Sequence, residues 1–571
     1  MTEPAVAEAA DTVDIVVLGA GAAGMAAACT AAALGRRVLL VEHTDRIGGT
    51  TALSGGMVWI PANHKMAEAG LPDSLDAARA YLRATVPGAD ADPRMAAFLA
   101  HGDEAIRFLE AHTTLKLQPV RRYPDYYPDL PGATAGGRVL EPVPYDARAL
   151  GRDFALLRDP LPEFLLFGGM MVSREDLPVL RRIGSSPAAL WHATKLAARY
   201  ALQRLQAHRG TSLVLGNALA ARLLASVRAL KVEVSLSTRV LKLRVDGGRV
   251  VGVDLDVGGQ PRTVHARAGV ILATGGLSQH RELRRNYVPA GAGDLSATAS
   301  TGAQTGGVQL ALDIGAALSP TTRPLAFWVP ASVGPRADGS LAIFPHTVTD
   351  RSKPGLIAVN RDGVRFTNEA VSYHEFVQAQ LRDAARNAPA WLVCDSRFLW
   401  KYGLGRVRPF ALSLRWLCAS GYLQRAPTVA ELAVQIGVPA DALVGTVERF
   451  NVDAEQGKDT QFGRGGDIYQ RHLGDAQQQP NPCVAPLLKP PFYAVAVQPA
   501  DLGMAAGVMT DADARALRSD GTPIAGLFAC GNDMHSVMNG AYPGPGITLG
   551  PALVFGVLAA RHACGEAAHD N

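Results

Sequence analysis

Gly19-x-Gly21-x-x-Gly24 leaves this chain little choice of fold. Ahead of it, Asp14–Leu18 is a short apolar run rich in β-branched residues, suited to a strand buried on both faces. Behind it, an alanine-rich stretch to about Leu34 reads as a helix, and Arg37–Val41 reads as a second strand that ends at Glu42. Strand, helix, strand and acid within about 30 residues make a βαβ unit of the dinucleotide-binding kind. Gly19 allows the tight turn, Gly21 lets the backbone approach a pyrophosphate, and Gly24 lets the helix pack closely on the strand. The helix start, including Ala22 and Ala23, offers free N–H groups and a partial positive charge to phosphates. Glu42 is placed to accept hydrogen bonds from ribose hydroxyls.

Later segments select the dinucleotide. Ile47–Gly56 is glycine-dense directly after the acid, and supplies Gly49, Thr50, Thr51, Ser54, Gly55 and Gly56. Val270–Gly276 is a strand ending in small residues (Ala273, Thr274, Gly275), and Gly526–Asn532 is another, ending in Gly531 and Asn532. Thr548 and Leu549 complete the expected cradle. An NAD domain is usually contiguous, so pieces scattered this widely fit the longer FAD. The 571 residues exceed one ordinary core. The expected fold class is α/β: a Rossmann-type FAD-binding domain with an inserted α+β substrate domain. The FAD-binding domain spans 10–284 and 493–571, the insertion spans 285–492, and the active site lies in the cleft between them.

Composition narrows the partners. With 48% hydrophobic residues, 19% charged and a net charge of +4 without basic runs, nucleic acid is not expected as a partner. The six cysteines form no C-x-x-C pair or ligand spacing, which argues against a metal site and for reduced thiols in a cytoplasmic protein. The first dozen residues lack the basic flank and apolar core of a secretory signal. No run approaches the roughly 20 apolar residues of a transmembrane helix, although a greasy substrate leaves peripheral membrane contact open. Residues 188–230 read as helical.

Four segments carry a resemblance. They are Gly55–Asn63 (GGMVWIPAN), Tyr123–Tyr127 (YPDYY), Arg365–Tyr373 (RFTNEAVSY) and Tyr542–Pro551 (YPGPGITLGP). With the glycine motifs they resemble the flavoproteins that include fumarate reductase, the succinate dehydrogenase flavoprotein and the 3-ketosteroid dehydrogenases. Within that group the pattern is similar to the 3-ketosteroid Δ1-dehydrogenases of steroid degradation, from about Asp14 to Arg561. Tyr373 stands where fumarate reductases carry an arginine, which suits a neutral ketone rather than a dicarboxylate. Gly49 stands where succinate dehydrogenases carry the flavin-linking histidine, so FAD is expected to bind non-covalently. The chain departs from the pattern by extra length between Tyr127 and Arg181.

The resemblance implies a division of labour. Tyr542 and the Gly546 backbone N–H bind the C3 oxygen and stabilise the enolate. Tyr373 takes the C2 proton, helped by Tyr126, and flavin N5 takes the C1 hydride. Tyr123 and Tyr127 are alternatives to Tyr126. His374 and His535 are read as taking no chemical part, Asn368 and Glu369 as ordering the Tyr373 loop, and Tyr469 and Tyr493 as structural. Tyr469 gains a part only in Δ4-(5α)-dehydrogenation, the first alternative. A fumarate-reductase-like reduction of activated double bonds is the second. The apolar stretch Phe164–Met171 is read as core, ahead of pocket lining or membrane contact. The electron acceptor is not assigned.

Overall fold

A computed structural model of the chain describes residues 11–180, 182–184, 186–299 and 306–565. The reading of the extreme N-terminus, residues 1–10, therefore lies outside the described residues.

The βαβ unit forms as its pattern requires. Strand β1 (Asp11–Leu18) runs parallel to β2 (Val38–Val41), with Ile15 opposite Val38 and Leu18 opposite Val41. Helix α1 (Ala22–Ala33) crosses between them. On the other side of β1 lies β3 (Gln260–Leu272), also parallel, and beyond it β4 (Pro523–Ala529). Short strands Glu233–Ser235 and Arg515–Leu517 close the two edges. The chain thus visits this sheet, leaves, and returns near its end. Small residues allow the layers to approach closely. A Cβ at Gly24 would collide with the Gly19 carbonyl, and one at Gly556, in the C-terminal helix Leu549–Ala563, would sit 2.7 Å from the Ala23 oxygen.

A second, six-stranded sheet is built from Ala326–Pro335, Leu341–Pro345, Leu356–Val359, Ala390–Asp395, Gln424–Ala426 and Phe492–Met504. Alternation assigns its faces. Ile357, Val359, Val393, Phe492 and Ala494 pack under the helices Val429–Ile436 and Ala440–Glu455. Leu356, Ala358, Leu392, Cys394, Tyr493 and Val495 face the other way, onto Phe376 of helix α2 (Tyr373–Arg382).

One expected boundary is misplaced. A domain division between 492 and 493 would cut off strand Phe492–Met504, which is paired on both sides inside the second sheet, with Ala326 opposite Met504 and Ala390 opposite Val497. The return to the first sheet comes only with the strands at 515–517 and 523–529. The helical reading of 188–230 resolves into two helices, Pro187–Arg204 and Leu215–Ala229, separated by a short strand. Among the described residues no helix is long and apolar enough to cross a membrane.

Candidate active site

One cavity of about 1350 Å³ runs from the α1 N-terminus to the tyrosines named by the sequence. That exceeds the roughly 300–1,000 Å³ of a site for one drug-sized ligand, and it has room for an extended dinucleotide and a second molecule. Every expected cradle residue lines it except Gly24, which is used in packing helix against strand. Helix α1 has no side-chain cap and no acid in its first turn. The Met25 N–H is bonded to the Gly21 oxygen at 3.0 Å and the Ala22 N–H to Thr51 Oγ1 at 3.1 Å, which leaves the Ala23 amide for a ligand phosphate. Gly19 takes φ +104°, where a Cβ would run into the Ala273 carbonyl. Glu42 is buried at the far wall, with Oε2 accepting from the Ala20 N–H at 2.9 Å. These features fit FAD: amides for its diphosphate, a carboxylate for its ribose, and glycines that keep the channel clear.

The tyrosines meet at the opposite end. The Tyr542 ring centroid lies 5.1 Å from that of Tyr373 and 5.7 Å from that of Tyr126, and Tyr126 lies 5.7 Å from Tyr373. Phe327 closes one side at 5.5 Å from Tyr542. All three tyrosines and Gly546 line the cavity. Of the three neighbours in the YPDYY segment, Tyr126 is the one whose ring meets Tyr373 and Tyr542, whereas Tyr123 packs on His472. Burial pushes the Tyr373 and Tyr126 hydroxyls well above the ordinary value of 10; Tyr542 adds to the shift of Tyr373, whereas a hydrogen bond with Tyr126 opposes it. Burial pushes Tyr542 up to about 12.

Separate motifs are tied together by buried polar contacts. Asp125 accepts from Trp59 Nε1 at 2.9 Å and from Arg138 Nη1 at 2.9 Å, and Arg138 also grips Asp73 at 2.7 Å. The Tyr126 N–H donates to the Pro543 oxygen at 3.0 Å, which joins its segment to the one carrying Tyr542. Tyr373 opens α2 behind Ser372, whose Oγ accepts from the Glu375 N–H at 3.2 Å. Just before it, Glu369 is held by Arg365 at 2.7 Å and Arg464 at 3.2 Å, and Asn368 donates to Gln470 at 3.0 Å. Gly546 has φ +96°, and a Cβ there would sit 2.6 Å from Met57 backbone atoms.

The histidines have other occupations. His374 Nδ1 accepts from the Trp328 N–H at 3.1 Å, and burial lowers the ring to about 3, which keeps it neutral. His535 is buried against Ser319 and is lowered to about 4. Phe164, Leu166, Phe167 and Met170 line the cavity, so the reading of that stretch as core holds for Leu165 and Met171 alone. Several residues were not foreseen. Asp533 is fully buried and accepts from the Thr274 and Gly276 N–H groups at 2.5 and 2.8 Å, which fixes the turn after β3. Its position two residues after Gly531 was the available signal. Tyr469, read as structural, lies 4.7 Å from the Tyr126 ring.

Known proteins resemble the chain over nearly its whole length. A family model described as FAD binding domain matches residues 14–549. The 3-oxosteroid 1-dehydrogenase of Mycobacterium tuberculosis is 38% identical over 570 residues, 97% of this chain and 98% of that protein. The 4-oxocyclohex-2-ene-1-carboxylate 5-dehydrogenase of Sinomonas cyclohexanicum is 37% identical over 552 residues, 96% of this chain and 93% of that one. Among solved structures, 3-ketosteroid Δ1-dehydrogenase from Sterolibacterium denitrificans, in complex with 1,4-androstadiene-3,17-dione, gives a TM-score of 0.90 at 39% identity. The match covers 97% of this chain and all of that one.

Proposed function

The chain belongs to the FAD-binding flavoprotein family of the 3-oxosteroid 1-dehydrogenases, and from that premise we propose that it desaturates the C1–C2 bond of a 3-ketosteroid. The observation that carries this reading is the Tyr126–Tyr373–Tyr542 cluster with Gly546, set in one cavity with the dinucleotide cradle. FAD, held by the cradle residues from Gly19 to Leu549 without a covalent link, would supply the hydride acceptor.

Everything else is work for this chain. Tyr542 Oη and the Gly546 N–H donate to the C3 oxygen, and the negative charge that builds there as C2 loses its proton is met by two fixed donors. Glycine at 546 permits that approach because no Cβ intervenes. Tyr373 takes the C2 proton with Tyr126 as its hydrogen-bonding partner. Phe327 packs on Tyr542, and Phe164, Leu166 and Met170 give the cavity apolar lining, so that a bound steroid displaces water, which strengthens each of these contacts.

A second reading keeps the chemistry and changes the substrate to a one-ring keto acid, because a relative 37% identical is named for such a compound. The cavity favours the larger, neutral skeleton, since its Phe164–Met170 wall offers apolar surface that a single carboxylated ring would leave uncovered. Turnover of androst-4-ene-3,17-dione and of 4-oxocyclohexanecarboxylate, each followed by locating the new double bond in the product, separates the readings. A 1,4-diene-3-one product from the steroid, with little turnover of the acid, is expected. Preference for the acid, or desaturation across C4–C5 of a saturated ketosteroid, would overturn the assignment.

A further inference from the structure

Arg351 is a fully enclosed cation with no carboxylate on its guanidinium among the described residues. Nε donates to the His346 oxygen at 3.0 Å, Nη1 to the oxygens of Glu369 and Val371 at 2.8 and 3.2 Å, and Nη2 to that of Thr347 at 3.1 Å. The other arginines as fully enclosed are paired, Arg138 with Asp73 and Asp125, Arg284 with Asp501 and Arg464 with Glu369, whereas the less deeply buried Arg222 also donates only to backbone carbonyls. Asp350, adjacent in sequence, gives its carboxylate to His346 Nδ1 at 2.7 Å and to the backbone N–H groups of Arg351 and Gly405. Asp350 therefore meets the Arg351 charge only through space, and a buried cation with no carboxylate in contact is costly, so this one needs an account.

Its position supplies one. Glu369 and Val371 lie four and two residues before Tyr373, and the guanidinium lies 5.1 Å from the centroid of Phe376, one turn beyond it. Near α2, the buried Tyr469 hydroxyl has no hydrogen-bond partner among the described residues, and Tyr126, whose ring centroid lies 4.7 Å from that of Tyr469, reaches only towards Tyr373. An unsatisfied buried hydroxyl near such a cation is what a missing negative charge leaves behind.

We propose that Arg351 is the counter-charge for a phenolate centred on Tyr373, within the buried cluster that Tyr373 forms with Tyr126 and Tyr469. This rests on the reading of Tyr373 as the base. When Tyr373 takes the α-proton, its O–H bond forms as the substrate C–H bond breaks. The electron pair passes toward the carbonyl oxygen, and the negative charge moves from the side of Arg351 to that of Tyr542 and Gly546. Arg351 is thereby a positioning residue that acts through the tyrosines.

The surroundings fit that role. Arg351 favours the anionic forms of Tyr469 and Tyr123, and Tyr469 and Tyr126 in turn favour its charged form. Arg174, paired with Glu141, acts on Tyr123, and His472 packs on the same ring. Glu375 and Asp467 oppose ionisation of Tyr469, Tyr542 opposes that of Tyr373, and Arg464, bonded to Glu369, opposes the charge on Arg351. His374, beside Tyr542, stays neutral.

The test uses FAD-loaded enzyme with Arg351→Met and Arg351→Lys. Anaerobic flavin bleaching by androst-4-ene-3,17-dione is measured across pH, and tyrosinate absorbance is titrated without steroid. In Arg351→Met the rising limb of the rate profile and the onset of tyrosinate both move up by about one to two pH units. The neutral-pH rate falls correspondingly, and Arg351→Lys restores most of the shift. Rates lowered equally at every pH, with both profiles in place, would make Arg351 a loop clamp and overturn the proposal. If Arg351→Met does not fold, Arg351→Gln keeps a donor without the charge and carries the same expectation. If the wild-type flavin ignores the steroid, the functional reading fails instead, and the tyrosinate onset alone decides: unmoved in Arg351→Met, it sinks the proposal.

Discussion

Removing the single oxygen of Tyr542 isolates the oxyanion contact from the packing around it. Its ring would still sit against Tyr126, Tyr373 and Phe327, so Tyr542→Phe is expected to fold and to bind FAD like the parent. Loss of one fixed donor at a developing oxyanion lowers the rate about 10²–10³-fold. Stopped-flow bleaching with saturating steroid reads this directly, and a fall of less than about tenfold would remove Tyr542 from the role. At this scale the sequence was most informative where a residue sits inside a short motif. Tyr126, Tyr373, Tyr542 and Gly546 were nameable because each lies in such a segment, and all four line one cavity. Arg351 was not, since it is marked only by what it faces across the fold rather than by sequence neighbours, and Tyr469 reads as structural or for Δ4 chemistry.

Elements are joined at the site by Arg138, which bridges Asp73 and Asp125 while Asp125 holds Trp59. All of these side chains are buried or nearly so, and burial alone pushes Asp125 above the ordinary carboxylate value. Arg138→Met leaves two buried carboxylates without their cation, a loss of about 3–5 kcal/mol. The expected result is an earlier guanidinium unfolding transition together with slower flavin reduction, because the segment carrying Tyr126 loses its seat. Unchanged unfolding would mean that the bridge contributes little. The βαβ unit was legible because its periodicities change from strand to helix to strand within one short stretch. The boundary at 492/493 was not, because a strand buried on both faces carries no mark of the sheet it joins.

Across the whole molecule, buried neutral histidines set an acid limit on stability. His374 and His535 have their ordinary value of 6.5 lowered to about 3 and about 4 by burial. The unfolded chain therefore takes up these protons before the folded one does. Their contribution is fully present above about pH 6.5 and is lost as pH falls towards 4, by about 3 kcal/mol each. Asp125, Asp501 and Asp533, raised by burial, act in the opposite sense. Comparing parent with His374→Asn cancels them: the variant's thermal stability should fall less between pH 7 and 4.5, and parallel curves would contradict the assignment.

The central claim is that Tyr373 deprotonates a ketosteroid beside its carbonyl in an FAD enzyme. Anaerobic addition of androst-4-ene-3,17-dione to the yellow holoenzyme, parent and Tyr373→Phe side by side, tests it most directly. Bleaching of the oxidised-flavin band in the parent, lost in Tyr373→Phe with FAD still bound, is the predicted result. Bleaching at similar rates in both would contradict the role of Tyr373, and a parent flavin that stays oxidised would contradict the substrate.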